Sequence, residues 1–407
     1  MTDTSYEQIK TIALKILAYC QLNNWAGYDP YDALNSQILK WLPFLDFRLA
    51  RIALTQALKR SPLNFRPLLL IPKTENPKAI ALFLMAFLKL KRAGLLEDEN
   101  LIPLMIEKLI NLRSPNNPSN SSNSNNPYWY WGYSFPWQTR TILVPRGAPN
   151  LVCTSFVANA LLDAYGRHRE SRYLGMAASA AEYILNELYW ENGDSIACFS
   201  YPLPSSRTQV HNANLLGAAL LARVHKISGE NKFIEPALKV ARYSAANQHE
   251  DGSWDYGEHS TQRWVDNFHT GYNLCALRGI SEYAATSEFE SHIRRGFDFY
   301  LKHFFREDGA PKYFHNSTYP IDIHSVAQSI ITLLTLKGFD EGSSKLAGSV
   351  FGWVMTHMWN NEGYFYYQVL PFWKNKISYI RWSQAWMLLA ISTLLEGSEK
   401  KYHGHMS

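Results

Sequence analysis

The sequence predicts an all-α fold, an (α/α)6 toroid of helical hairpins with short aromatic hairpins at one mouth. Three observations predict it. A turn motif returns as Asn-Gly at 192–193, Glu-Asp-Gly-Ser-Trp at 250–254, Glu-Asp-Gly-Ala at 307–310 and Asn-Glu-Gly-Tyr at 361–364. Its glycines Gly193, Gly252, Gly309 and Gly363 are separated by 59, 57 and 54 residues, an interval that suits a pair of helices with its connections. Helical periodicity fills the intervals, and each glycine stands between an apolar helical stretch and an aromatic segment that leads into the next helix. The glycine is expected to take the left-handed conformation that ends a helix, where a side chain would clash.

Apolar residues at three- and four-residue spacing mark helices at 155–165, 173–188, 215–225, 233–245 and 272–283, then at 293–304, 326–336, 346–358 and 383–395. Upstream, 79–90 and 102–112 form a similar pair, and 6–20 and 45–58 add two more. Alternate members, those beginning near Lys78, Val152, Val210, Asp266, Asp322 and Arg381, are assigned to an inner ring. The others form an outer ring, with the N-terminal helices closing the circle beside the last. Such an array buries each apolar face against its neighbours. No linker separates two cores, so residues 1–407 read as one domain. The Asn/Ser/Pro stretch 115–127 has no apolar residue to bury and reads as a disordered loop inserted into the ring.

A net charge of +5 without a basic run interleaved with aromatics excludes nucleic acid as the expected partner. Residues 1–10 are polar and lack the apolar centre of a signal peptide, and no run reaches membrane-span length. Cys20, Cys153, Cys198 and Cys275 lie far apart, without metal-type or redox spacing. A cytoplasmic protein without a cofactor is the expectation.

The connections entering the inner helices gather at one mouth of a toroid, and here they are rich in aromatics. The first carries Trp131, Tyr133, Trp137 and Arg140, the next His211 and Asn212, and the third Trp254, Tyr256, Asp266, Asn267 and His269. Tyr313, Asp322 and His324 follow, then Tyr366, Arg381 and Trp382. Rings with amphipathic edges beside Asn, Asp, His and Arg suit a pyranose, whose apolar face stacks while its hydroxyls need donors and acceptors. The expected partner is therefore an oligosaccharide, a polysaccharide or a sugar-linked intermediate.

Polar residues recur at similar offsets. His211 follows Gly193 by 18 residues, His269 follows Gly252 by 17, His324 follows Gly309 by 15 and Arg381 follows Gly363 by 18. All four are expected at the first turn of an inner helix, facing one cavity. Asn212, Asn267 and Asp322 serve equally well as N-caps. Three reactions stay open. In uronate elimination or epimerisation, Arg381 or Arg140 neutralises the substrate carboxylate while His and Tyr move the proton. In hydrolysis, Asp266 and Asp322 flank the glycosidic bond. A zinc site of His211, His269 and His324 is the weakest, because no close His-x-x-x-His pair anchors it.

The segments Trp-Gly-Tyr-Ser-Phe-Pro-Trp (131–137), Asn-Phe-His-Thr-Gly-Tyr (267–272) and Tyr-Pro-Ile-Asp-Ile-His (319–324) resemble a family of bacterial and archaeal proteins associated with polysaccharide biosynthesis. The likeness runs from about Gly27 onward. It implies a toroid similar to those of N-acylglucosamine 2-epimerases, unsaturated glucuronyl hydrolases and glucuronyl C5-epimerases. It implies work on a uronate-containing or N-acetylated glycan by epimerase, lyase or hydrolase chemistry, and brings no catalytic assignment.

A competing reading is a terpene cyclase or prenyltransferase acting on an isoprenoid. Residues 248–254 match the Gln-x-x-x-Gly-x-Trp repeat of triterpene cyclases, but the Asp-x-Asp-Asp and Asp-x-Cys segments such enzymes need are missing. A non-catalytic glycan-binding protein that kept the cleft is the third possibility.

Overall fold

The computed structural model describes residues 3–115, 128–193 and 195–402, so the expected loop insertion lies, beyond Pro115, outside the described residues. The helices are α1 (Asp3–Leu22), α2 (Gln37–Lys40), α3 (Arg48–Arg60), α4 (Pro77–Arg92), α5 (Leu101–Asn111), α6 (Leu151–His168) and α7 (Ser171–Tyr183). They continue as α8 (His211–Ser228), α9 (Ile234–Ala246), α10 (Asn267–Tyr283), α11 (Glu290–His303), α12 (Ile323–Thr335), α13 (Ser343–Met358) and α14 (Ala385–Tyr402).

Helices α4, α6, α8, α10, α12 and α14 pack each on the next, and α14 meets α4 to close the ring. Outside them α5, α7, α9, α11 and α13 each back the inner helix before it, and α1 backs α14. This is the (α/α)6 toroid. The two rings differ as their surroundings require. Inner α4 is buried on every face from Pro77 to Leu84, because it has neighbours on all sides. Outer α11 buries one stripe, Ile293, Phe297 and Tyr300, and exposes Arg294, Arg295 and Asp298.

Side-chain caps start four of the inner helices. Asn76, Asn150, Asp266 and Asp322 each accept a backbone N–H of the first turn, which fixes where α4, α6, α10 and α12 begin. Asn267 and Asn212 stand one and two residues inside their helices and are not caps.

Short antiparallel pairings join the helices: β1 (Trp137–Gln138) with β2 (Leu143–Val144), β3 (Tyr189–Asn192) with β4 (Ile196–Phe199), and a sheet headed by β5 (Ile321–Asp322). Strands β6 (Trp359–Asn360) and β7 (Tyr364–Phe365) pair, while β8 (Gln368–Val369) lies between β5 and β9 (Lys374–Asn375).

The repeating glycines do have positive φ, 61° to 95°, but they sit in turns several residues beyond the outer helices and not at helix ends. At Gly252 a Cβ would lie 2.2 Å from the Arg295 carbonyl oxygen of α11. Gly309 and Gly363 make similar approaches, 3.1 Å to Ser349 of α13 and 2.8 Å to Lys15 of α1, so at these three positions the turn presses against the next outer helix. At Gly193, among the described residues, nothing lies within 4 Å and only the positive φ calls for glycine.

One assignment changes. Of the N-terminal helices only α1 joins the ring. Helix α3 belongs to a segment folded around a small cluster of Ala33, Leu58 and Ile71, which meets the mouth through Tyr31 and β1. Its buried Arg66 bonds Asp32 at 2.7 Å, holding the segment in shape.

Candidate active site

The first turns of α4, α10 and α12, with the π-helical turn Ile380–Gln384 that leads into α14, bring Lys78, His269, His324 and Arg381 toward one aromatic-walled hollow. Its floor is Lys78, Tyr272, His324 and Trp386, all buried. Its rim is half-exposed: His269, Tyr256, Tyr313, Tyr201, Tyr133 and Phe156.

Asp266 caps α10 with Oδ1, which accepts the His269 backbone N–H at 3.0 Å, while Oδ2 accepts the imidazole Nδ1–H at 2.7 Å. The Trp264 indole N–H adds a third bond to that carboxylate at 2.9 Å. A carboxylate can only accept here, so Nδ1 carries a proton, and in the neutral imidazole the lone pair is the one on Nε2 at the rim. The imidazole lies 4.6 Å from the Tyr256 ring, which stacks on Trp264.

His324 lies deeper. Its Nε2 shares a 2.6 Å hydrogen bond with the Tyr272 hydroxyl, and its ring stacks on Phe268 and Trp386 at 4.5 and 4.6 Å. Burial, with the nearby Lys78 and Arg381 charges, holds this imidazole well below its usual pKa, so it is neutral. Burial likewise lifts the Tyr272 phenol well above its own, partly opposed by Arg381.

Asp322 caps α12 and is fully committed. It accepts the His324 backbone N–H at 2.8 Å, the Gln368 amide at 2.7 Å and the Trp382 indole at 2.9 Å. Burial pushes its pKa up to about 6 against those three bonds.

Two cations approach the hollow in different states. Arg381 is neutralised from within by Asp29, Nε to Oδ2 at 2.6 Å and Nη2 to Oδ1 at 2.8 Å. Burial alone would lower its pKa, and the Asp29 charge more than reverses that. Lys78 has its ammonium 4.2, 5.2 and 5.4 Å from the Phe156, Trp386 and Tyr272 rings, and among the described residues it forms no ion pair. Burial, then Arg381, hold its pKa well below the usual lysine range.

Several expected site residues lie elsewhere. His211 is buried, but its Nε2 bonds Glu258 at 2.7 Å and its ring lies beside Tyr243 of outer helix α9. The reason is helical phase. His211, His324 and His269 are the first, second and third residues of their helices, and each step turns the side chain by about 100°. The three histidines therefore do not converge as zinc ligands, and their similar offsets from the glycines reflect unequal hairpin lengths. Asn212 is buried beside His211. Asn267 accepts the Tyr300 hydroxyl of α11 at 2.8 Å, so it ties the inner ring to the outer one.

Trp131 and Trp254 are wall staples as well, not mouth residues. Their indoles donate to Leu109 of α5 at 2.7 Å and Ser244 of α9 at 2.9 Å. Gln248 donates to the Gly252 and His292 carbonyl oxygens at 3.0 Å each, so the Gln-x-x-x-Gly-x-Trp segment pins its turn between α9 and α11. Tyr366 packs near Tyr364 and under Lys376 on its hairpin. Arg140 is exposed on the loop joining β1 and β2. Tyr133, Trp137, Tyr256, Tyr313 and Trp382 do stand at or beside the hollow: Tyr133 contacts Arg381 and Trp137, Tyr313 contacts Phe268, and Trp382 contacts His324.

Sequence reasoning missed Lys78, Tyr272, Asp29 and Tyr31. Lys78 carried a signal, a lone charge at the start of an otherwise apolar helix from Ala79 to Leu88. Asp29 and Tyr31 carried none, because their segment lies outside the repeat.

No protein family and no curated protein matches the chain in sequence. Solved structures do match in shape. An unsaturated glucuronyl hydrolase specific for heparin aligns with a TM-score of 0.62 at 12% identity, over 98% of this chain and 99% of that one. Cellobiose 2-epimerase from Bacillus thermoamylovorans gives 0.60 at 12% identity, over 81% and 90%. A GH76 alpha-mannanase from Bacteroides thetaiotaomicron gives 0.59 at 10% identity, over 80% and 87%. With these enzymes the chain shares the (α/α)6 toroid, the fold that its periodic helices and aromatic hairpins imply.

Proposed function

We propose that the hollow is the active site of an epimerase-type enzyme that moves a proton on a sugar carbon of a uronate-containing glycan, in polysaccharide biosynthesis or modification. The observation that carries this reading is the His269–Asp266 pair, an imidazole held in one tautomer with its basic nitrogen at the rim. His269 Nε2 takes the proton from the carbon next to the substrate carboxylate, and the electron pair moves into that carboxylate as an enediolate. Lys78, a buried amine that among the described residues forms no ion pair, replaces Arg381 as the group that binds the anion. Burial disfavours its charge in the free protein, and an incoming carboxylate would favour it, so that it stabilises the developing charge. Tyr272, oriented by neutral His324, returns a proton to the carbon's other face. The His269 imidazolium at the rim gives its proton to solvent, and the Tyr272 phenolate on the floor regains one once the product has left.

Hydrolysis by paired carboxylates has less support, because Asp266 and Asp322 spend their oxygens on caps, indoles and His269. The isoprenoid reading loses its main motif, since Trp254 serves the wall. The three enzymes compared above act, by their descriptions, on saccharides, which agrees with a glycan substrate.

The test is incubation with uronate and N-acetylhexosamine oligosaccharides in deuterated water, followed by NMR. Deuterium at the uronate ring carbon beside the carboxyl is expected. A new unsaturated ring would replace epimerisation by elimination, and a new reducing end by hydrolysis. Response to an isoprenoid diphosphate alone would move the reading to the cyclase class.

A further inference from the structure

The segment packed beside the mouth has an unusual outer surface. Trp41 and Phe44 flank the turn at Pro43 and are 71% and 72% exposed. Phe47, Leu49, Leu63 and Leu68 are also exposed, each more than half. Asn375 of β9 donates to the Ser61 carbonyl oxygen at 2.9 Å, which places the β8–β9 turn against this segment. At the tip of that turn Phe372 is 97% exposed. On the other side Arg51 of α3 bonds Gln138 of β1 at 3.1 Å. The apolar tips of the segment and of the β8–β9 turn are therefore carried by elements that touch each other beside the mouth.

Their charged neighbours have one sign. Lys40, Arg48, Arg60, Lys374 and Lys376 are exposed among them. Between residues 37 and 73 the only acidic side chain is Asp46, already bonded by Arg51 at 2.7 Å. Core-forming protein interfaces place large apolar groups in packed patches. Here Trp41, Phe44 and Phe372 protrude from turns flanked by lysines and arginines, the arrangement that seats aromatics at the headgroup boundary while cations meet anionic lipid. Among the described residues no helix is long and apolar enough to cross a membrane, so contact would be with one leaflet.

We propose that this face docks the protein on an anionic lipid bilayer, with Trp41, Phe44 and Phe372 entering the interface and the surrounding cations meeting headgroup phosphates. The mouth then lies next to the headgroups. On the glycan reading above, the substrate is thereby a saccharide anchored in the same membrane, whereas the docking itself does not depend on any sugar.

The test is co-sedimentation of the full chain with phosphatidylcholine vesicles and with vesicles of equal parts phosphatidylcholine and phosphatidylglycerol. Binding is expected to the anionic vesicles and to weaken as salt is raised. The variant Trp41→Ser/Phe44→Ser/Phe372→Ser should bind at least about tenfold more weakly, each ring having lost its insertion. Its melting temperature should not change, since the three side chains are mostly in solvent. Arg48→Ser/Arg60→Ser/Lys376→Ser should lose the preference for anionic lipid. Absence of vesicle binding, or binding indifferent to the aromatic substitutions, overturns the proposal. So does a dimer in sedimentation velocity that the aromatic variant dissociates, because a second copy would then cover the face. A sugar assay that fails while vesicle binding persists would remove the glycan reading and leave the docking surface standing.

Discussion

Asp29 and Arg381 form a bidentate ion pair across 352 residues of sequence, both nearly buried, and it joins the N-terminal segment to the last inner helix. The pair turns an apparent substrate-binding arginine into a structural one. Arg381→Leu would leave the Asp29 carboxylate buried and uncompensated, which costs about 3–5 kcal/mol. Asp29→Asn/Arg381→Leu should recover a large part of that loss. Urea denaturation of the two variants measures both, and an Arg381→Leu protein of normal stability would refute the structural role.

His269 and Asp266 separate rate from stability. His269→Ala should lower turnover by a factor on the order of 10² to 10⁴, the usual worth of a positioned acid or base. Its stability should fall far less than its rate, because the buried Asp266 keeps the Trp264 indole and the backbone N–H of residue 269 as donors. Asp266→Asn keeps an N-cap but no longer fixes the imidazole by charge, so turnover should fall while α10 stays intact. Steady-state rates and melting curves on both proteins check this, and loss of folding with activity per folded molecule intact would return His269 to a packing role.

Lys78→Met removes a buried amine while keeping its length and apolar stem. Burial disfavours the Lys78 charge in the uncomplexed protein. The variant should therefore melt at the same temperature or higher, as replacements of buried charges often do. Turnover on a uronate substrate should nevertheless be lost. Wild-type rates in the variant would mean that another group holds the carboxylate.

Asp322 sets a pH dependence of definite sign. Its carboxyl is raised from 3.8 to about 6, so the folded state holds this proton more tightly than the unfolded chain does. Stability from this group is fully present below about pH 4 and is lost as pH rises through 6, by up to about 3 kcal/mol. The comparison is between wild type and Asp322→Asn, whose amide oxygen can still accept from the His324 N–H and the Trp382 indole. The difference between their stabilities should change across that window. Parallel pH profiles would show that the three hydrogen bonds outweigh burial.

Gly252→Ala tests the repeat itself. With φ at 92° and the Arg295 carbonyl oxygen 2.2 Å from an added Cβ, the turn must move away from α11. A loss on the order of 1–3 kcal/mol is expected for a residue forced into that conformation. Activity per folded molecule should persist, since the turn lies in the wall. Calorimetry with a parallel assay distinguishes this from a loss at the hollow.

The ring of helices was legible in the chain because its causes are local and periodic. Apolar spacing along Leu215 to His225 or Val326 to Leu336 marks a helix wherever it packs, and glycines at near-constant intervals mark the turns between pairs. The cap at Asp322 was legible too, but α10 is capped by Asp266 and not by Asn267, the residue expected to serve there. Side-chain direction was not. An offset of 15, 17 or 18 residues from a glycine spans a hairpin of variable length, and one residue of difference rotates a helical side chain by about 100°. Thus His269 and His324 reach the hollow while His211 turns to Glu258.

What the sequence by itself determined is therefore the toroid, its inner and outer alternation, and the mouth where aromatic and polar side chains collect. Only the tertiary structure decided which of those side chains are free to act. Trp131, Trp254 and Asn267 find partners on outer helices, Arg381 finds Asp29, and Lys78 is left among rings with, among the described residues, no ion pair. The physical reason is that helix formation follows from neighbours three and four positions away. The charge and availability of a buried group are set instead by whatever distant segment packs against it.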